Sequence, residues 1–387
     1  MKKILIVNNN MHIGGVQKAL LNLLCEAEKD VDITLLLLYK GGKLIAKIPK
    51  NIEVIQTDSL FKYIGMTKND ATNAKSKILR SFFALITMLF GRDFVLRLMY
   101  PNQKEIDGYD VAISFLHSGD KHMFYGGCNE FVLNCVNASK KITFLHCDFE
   151  KINANSKSNQ KIYEQFDEIA ACSDGCRKSF LNAVPQCADR TIVVKNCINH
   201  SEVRKMAQNE PVTLQEGKIN IVTVSRFGNE KGILRAIKAC IEVGNGRKDF
   251  RYYIIGNGTD FYYAKTVIKE YNAEDNIVLL GEMENPYGYI AAADFLLIPS
   301  VSEAAPMVIG EAACLGTPIL TTKTSSAIEM VEETGIGWVC DNSEEGILTG
   351  IKYLLDNPCE IEKKKAFIKE QNFDDNEALE QFSKLVS

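Results

Sequence analysis

Two cations, two carboxylates and one helix start are the parts of this sequence that can do chemistry. Arg226 and Lys231 lie in Val224-Ser225-Arg226-Phe227-Gly228-Asn229-Glu230-Lys231-Gly232, directly after an apolar run from Ile219 to Val224 that reads as a strand. Further on, Phe295-Leu296-Leu297-Ile298 leads through Pro299-Ser300, Glu303 and Pro306 into a helical pattern that holds Glu311 and stops at Gly316. A strand that enters a helix N-terminus through a short loop aims backbone N–H groups and a positive dipole end beyond the sheet, an arrangement that suits a phosphate. Glu303 before that helix, and Glu311 about two turns along it, are natural acceptors for sugar and ribose hydroxyls. When a glycosyl phosphate bond breaks, negative charge grows on the departing diphosphate, and fixed cations such as Arg226 and Lys231 stabilise it. Either one alone reads as an ordinary surface charge.

Histidines and glycines add a second tier. His146 follows the apolar run Ile142 to Leu145, at the strand end where α/β proteins bind ligands, and a neutral His there also serves as a plain structural hydrogen bonder. His117, after Ser114-Phe115-Leu116, is the next candidate, and His12, near Gly14-Gly15, the third. Gly256-Asn257-Gly258 has no third glycine opening a helix and no well-placed downstream acid, so it reads as a tight strand-to-loop turn and not as a dinucleotide fingerprint.

These residues need a scaffold that presents strand ends. Ile4 to Val7, a polar loop with Gly14-Gly15 and a helical pattern of leucines make one strand–loop–helix start, and Ile219 onward makes a second. Continuous apolar runs such as Ile33 to Leu38, Val111 to Phe115 and Tyr252 to Ile255 suit parallel strands covered on both faces, with helices between them. At 387 residues and 46% hydrophobic content the chain divides into two domains. The expected limits are a first domain over 1–197, a polar connection over 198–217, a second domain over 218–371 and a closing helical segment over 372–387.

Composition removes several function classes. A net charge of −4 gives no overall pull toward nucleic acid. Twelve scattered cysteines without a CxxC pair suggest reduced thiols and no metal site, and the N-terminal apolar stretch is too short for a signal peptide, so a cytoplasmic location is expected. Residues 62–104 stand apart, with eight Lys or Arg against two Asp among many large apolar side chains. They read as a basic amphipathic insertion, either lying on the anionic inner face of the plasma membrane or folded as a core helix with solvated basic flanks.

Ser225-Arg226 with Glu230-Lys231-Gly232, then Gly256-Asn257-Gly258, then Glu303 with Glu311, together resemble the donor site of glycosyltransferase family 4. Gly14-Gly15 and Phe144-Leu145-His146-Cys147-Asp148 extend the likeness, to the family's capsule and lipopolysaccharide members, so that it covers most of the chain. The resemblance implies an α/β GT-B fold, two facing Rossmann-like domains with a last helix that crosses back to the first. It implies retaining transfer from a nucleotide-diphosphate sugar, a UDP-sugar being one candidate, to a glycan or lipid-linked acceptor, with neither bound metal nor cofactor. Arg226 and Lys231 would then contact the diphosphate, Glu303 the transferred sugar and Glu311 the ribose. Main-chain amides around Pro306, Met307 and Val308 would complete the cradle, Gly256 and Gly258 would form part of the donor site, and Gly14 and Gly15 would permit close approach from the other domain. His146 would touch the sugar or the acceptor hydroxyl. One departure is Ala304, where the family usually has Gly; a positive φ there would strain the chain.

Three rival readings remain open at this point. A nucleotide-cofactor oxidoreductase shares the α/β pattern but lacks the fingerprint, and a glycoside hydrolase using Glu303 and Glu311 leaves the cations without a role. A catalytically inactive sugar-binding partner of another transferase would be expected to show a damaged site.

Overall fold

The first sheet is built from β1 (Lys2–Asn8), β2 (Val31–Leu37), β3 (Glu53–Gln56), β4 (Ile106–Ser114), β5 (Val136–Leu145), β6 (Glu168–Ala171) and β7 (Thr191–Val193). The second holds β8 (Ile219–Val224), β9 (Phe250–Ile255), β10 (Ile277–Gly281), β11 (Phe295–Ile298), β12 (Ile319–Thr322) and β13 (Gly337–Cys340). Every pairing between these strands is parallel. The computed structural model describes residues 2–27 and 31–387.

Helices cover the first sheet: α1 (Gly15–Glu26), α2 (Lys62–Gly65), α3 (Ala74–Phe90), α4 (Arg92–Met99), α5 (Cys128–Cys135), α6 (Lys157–Tyr163) and α7 (Asp174–Ala183). The second carries α8 (His200–Asn209), α9 (Ile233–Gly244), α10 (Phe261–Glu270), α11 (Tyr287–Ala292), α12 (Met307–Cys314), α13 (Glu344–Asp356) and α14 (Pro358–Glu370). The last helix is α15 (Asn376–Val386). Two units result, one running to Cys197 and taking in Asn376–Ser387, the other Ile198–Asp375.

Burial explains why the strands read as unbroken apolar runs. Ile4, Leu5, Ile6 and Val7 of β1 are all fully buried. In β8 the neighbours Ile221 and Val222 enter separate cores, Ile221 with Ile233 and Ile237 of α9, Val222 with Ile309 and Ala312 of α12. Successive residues of a strand point to opposite faces, so a sheet covered on both sides needs both to be apolar. The short strands β3, β6, β12 and β13, four residues each, are too brief to give a periodic signal.

The sheet orders, β3-β2-β1-β4-β5-β6-β7 and β10-β9-β8-β11-β12-β13, each reverse once, between β1 and β4 and between β8 and β11. These are the switch points where strand ends diverge and leave room for a ligand. Arg226 and Lys231 follow β8, and Glu303 follows β11, so both loops flank one such point.

Two expectations about segments change. Residues 198–217 are no free connection: α8 packs within the second unit, where Asp375 accepts hydrogen bonds from Ile198 N at 2.7 Å and Asn199 N at 3.1 Å and pairs with His200 Nδ1 at 3.0 Å. Within 62–104, Arg92 is no surface charge. It is buried with Nε 3.0 Å from Glu130 Oε1, while its Nη groups donate to Asn159 Oδ1 and the carbonyl of Tyr125 at 3.3 Å. The closing helix α15 belongs to the first unit, where Lys2 and Lys140 donate to its last carbonyls and Lys195 pairs with Glu377. Among the described residues no helix is long and apolar enough to cross a membrane.

Candidate functional site

Three loops of the second unit are tied together at the ends of β8, β9 and β11. Phe227 N donates to Asn257 O at 3.0 Å, and Val301 N to Glu230 O at 2.8 Å. Arg235 grips Pro299 O through Nε at 3.0 Å and Nη2 at 2.7 Å. Such approach requires glycine at three points. Gly256 has φ +143° and a Cβ there would lie 1.8 Å from Ser225 O; Gly232 has φ +64° and its Cβ would lie 2.0 Å from Pro299 O. Gly258 brings its backbone against Phe227, where a Cβ would sit 2.3 Å from the carbonyl oxygen. The two glycines of Gly256-Asn257-Gly258 are thus turn and close-approach residues that shape the loop bearing Arg226.

A 3₁₀ turn, Asn229–Lys231, then aims Lys231 at Glu303, with Nζ 2.7 Å from Oε1. The same oxygen accepts from Ser300 Oγ at 2.7 Å, and Ser325 Oγ donates to the Glu303 carbonyl at 2.7 Å. The pair is largely shielded, with 22% of the Lys231 side chain and 12% of that of Glu303 exposed. Sequence reasoning singled out both residues but not their contact, nor Ser300, which donates to the carboxylate, and Ser325, which the fold brings to the Glu303 main chain. Arg226 has a different environment. Its side chain is 75% exposed and pairs with the exposed Glu230 at 3.3 Å, so the two cations of one loop are not equivalent.

Helix α12 begins at Met307, one residue after the expected start, with Pro306 at its N-cap and Gly316 at φ +80° just beyond its end. Pro306 has no N–H and supplies no amide to a cradle. Ile309 N is already bonded to Pro306 O at 3.1 Å, which leaves Met307 and Val308 as first-turn N–H groups without an intrahelical acceptor. Ala304 is not among the residues of positive φ, so its methyl group introduces no left-handed strain. Glu311, expected to face a ribose, is 3% exposed and accepts a hydrogen bond at 3.1 Å from the hydroxyl of buried Tyr287 on α11. Tyr287 carried no sequence signal, because its distance to Glu311 is set by the packing of α11 on α12.

In the first unit, His146 follows β5, its ring stacked on Phe144 at 5.6 Å and tilted against Phe115 at 4.8 Å. The residue as a whole keeps some exposure, yet Nε2 is shut off from solvent and has no hydrogen-bond partner among the described residues. Burial, with a smaller contribution from His117, pushes its pKa down to about 3. His117 is pushed down to about 4 by burial and then by Arg92, and its Nδ1 is likewise buried and unpartnered. Both imidazoles are neutral at physiological pH, suited to hydrogen bonding and not to acting as charged acids. His12 pairs with Asp70 at 2.9 Å and is accounted for structurally. Gly14 caps α1 with extended backbone; its Cβ would meet only the flexible end of Gln17 at 2.6 Å, and a Cβ on Gly15 would meet nothing within 4 Å. The fold of this unit does not itself require either glycine.

Residues 205–372 match the family model described as glycosyl transferases group 1. Among curated relatives, the chain is 30% identical over 142 residues to a putative colanic acid biosynthesis glycosyltransferase, WcaL, of Escherichia coli, covering 35% of each chain. It is 26% identical over 215 residues to an N-acetylgalactosaminyltransferase of Campylobacter jejuni that acts on a diphospho-undecaprenol-linked sugar, covering 54% of this chain and 57% of the relative. The chain thus spans about a third to a little over half of the length of these relatives. Among solved structures, Anabaena HepE in complex with UDP and glucose superposes with a TM-score of 0.68 at 17% identity, over 100% of this chain and 99% of that one. WaaG, a glycosyltransferase involved in lipopolysaccharide biosynthesis, does so with a TM-score of 0.60 at 14% identity over 99% of both chains. The chain therefore has the GT-B fold, and within its second unit residues 205–372 resemble the group 1 glycosyl transferases.

Proposed function

We propose that the protein is a retaining glycosyltransferase that moves a sugar from a nucleotide-diphosphate sugar to a glycan or lipid-linked acceptor in cell-surface polysaccharide synthesis. The observation that carries this reading is the shielded Lys231–Glu303 pair at the β8/β11 switch point, beside the start of α12. A cation and a carboxylate 2.7 Å apart match a ligand with adjoining phosphate and hydroxyl groups, which is what a sugar diphosphate presents. Lys231 and the Met307 and Val308 amides offset charge on the diphosphate, while Glu303 accepts from a hydroxyl of the transferred sugar. Arg226 can re-orient toward the outer phosphate at little cost, because exposed pairs such as that with Glu230 are worth about 0–1 kcal/mol. HepE, of the same fold, is described in complex with UDP and glucose, which makes UDP-glucose the first donor to test.

In the step itself, the bond from the anomeric carbon to the diphosphate oxygen breaks and the acceptor oxygen bonds to that carbon on the same face. The acceptor proton passes to the departing phosphate oxygen, so no protein nucleophile is needed. Neutral His146 contributes a hydrogen bond to sugar or acceptor. Lys231 supplies the positive charge that a divalent metal gives in other transferases, so turnover is expected to persist in EDTA.

The test is a panel of UDP-, GDP- and ADP-sugars, read by thermal stabilisation and by release of nucleoside diphosphate, with Lys231→Ala as control. Stabilisation by one donor class that is lost in the variant supports the reading. Binding left unchanged by Lys231→Ala refutes the placement of the diphosphate, and binding without any turnover over a set of acceptors favours an inactive sugar-binding partner.

A further inference from the structure

We infer that the outer face of α3, with the turn into α4, is a docking surface for an anionic lipid bilayer. Helix α3 has a buried side and an outer side. Phe83 and Thr87, one turn apart, are buried, Phe83 with its ring 6.0 Å from that of Tyr63. The opposite stripe, Ile78, Phe82, Leu85 and Leu89, repeats at helical spacing and is 51–68% exposed. At the helix end Phe90 and Phe94 pack ring to ring at 5.4 Å, and both are exposed. A stripe of large apolar side chains from Ile78 to Phe90, about 20 Å at roughly 1.5 Å per residue, marks a surface that meets something other than water.

Charge selects the occupant. The chain as a whole carries −4, yet residues 62–104 hold eight Lys or Arg against two Asp, and with Arg92 spent on its buried pair with Glu130 seven cations remain. Both of those carboxylates are engaged within the unit: Asp70 accepts from Thr67 and pairs with His12, and Asp93 accepts from Ser158. Lys75, Lys77 and Arg97 are exposed and form no ion pair among the described residues. An apolar stripe flanked by uncompensated cations is the pattern of a helix lying in the headgroup zone, its apolar side chains among the acyl chains and its lysines at lipid phosphates. A second copy of the chain would bring the same positive segment against itself, which works against self-association. A helix seated in this way lies along the membrane and does not cross it, and it would bring the unit to any acceptor carried on lipid.

Flotation tests this with the whole chain and no donor present, so its outcome is independent of the transferase reading. Neutral phosphatidylcholine vesicles are compared with vesicles containing about a third phosphatidylglycerol, at low salt and at roughly 0.5 M salt. The wild-type protein is expected to float with the anionic vesicles, and to do so less at high salt. Lys75→Gln with Lys77→Gln should weaken that partition roughly 25-fold, about fivefold for each lysine. Phe82→Glu with Leu85→Glu should abolish flotation while the melting curve stays that of the wild type, since neither side chain is in the core. The proposal is overturned if the wild type stays at the bottom of the gradient with anionic vesicles at low salt. It is equally overturned if the Glu substitutions leave flotation intact and instead dissolve a dimer seen by ultracentrifugation.

Discussion

Replacing Lys231 by Ala separates the catalytic part of the Lys231–Glu303 contact from its structural part. If Lys231 meets charge that develops on the leaving diphosphate, its loss should lower kcat by about 10²–10³, or roughly 2.7–4 kcal/mol of transition-state stabilisation, with a smaller change in KM. The substitution also leaves Glu303, 12% exposed, with Ser300 as its remaining side-chain donor. A carboxylate so placed should cost about 1–3 kcal/mol of stability, less than a fully buried charge and more than a surface one. For a unit of this size that is a fall in Tm of roughly 3–10 °C. The double variant Lys231→Ala with Glu303→Gln removes the stranded charge, so it should regain most of the lost Tm and none of the lost turnover. Steady-state diphosphate release and melting of the three variants, run together, test the argument. A double variant whose kcat returns toward the wild-type value would show that Lys231 acts only by holding Glu303, and the proposed contact with the diphosphate would be wrong.

Other predictions rest on different parts of the structure. His146 and His117 are held neutral by burial, with pKa values near 3 and 4, below the ordinary 6.5, so between about pH 6.5 and 4 the unfolded chain binds protons that the native one refuses. Stability should therefore fall on acidification by about 1.4 kcal/mol per pH unit per histidine, and His146→Gln should flatten the slope of urea midpoint against pH; parallel slopes would contradict the burial argument. Gly256→Ala places a methyl group 1.8 Å from Ser225 O at a left-handed φ, and should cost at least about 2 kcal/mol, whereas Gly15→Ala meets open space and should leave Tm unchanged. Tyr287→Phe removes the hydroxyl that donates to Glu311 and should destabilise the second unit by about 1–3 kcal/mol, and if Glu311 positions the ribose it should also weaken donor binding in a calorimetric titration.

What the chain's order of residues determined by itself was the layered α/β plan. Strands buried on both faces must be apolar at every position, so Ile4 to Val7 and Phe295 to Ile298 are readable without any knowledge of their neighbours, and the two parallel sheets follow from such runs. Candidate residues were legible to the extent that strand ends are: Lys231 and Glu303 in the second unit, and His146 in the first, were singled out because each follows an apolar run, at the side of a parallel sheet where loops can hold ligands. The four-residue strands β3, β6, β12 and β13, which mix polar or small residues into the run, escaped notice where the equally short but wholly apolar β11 did not, and no local pattern could show that Arg92, within a basic stretch, turns inward to Glu130.

Tertiary structure alone decided which of the marked residues meet. Arg226 and Lys231 share one loop, but a single 3₁₀ turn sends Lys231 to Glu303 and leaves Arg226 in solvent. Glu303 becomes a shielded anion only because β8 and β11 lie side by side, and Glu311 is buried only because α11 packs Tyr287 against α12. The physical reason is range: burial and secondary structure are dictated by a residue's own chemistry and its near neighbours in the chain, whereas a salt bridge at 2.7 Å depends on where two distant backbones come to rest.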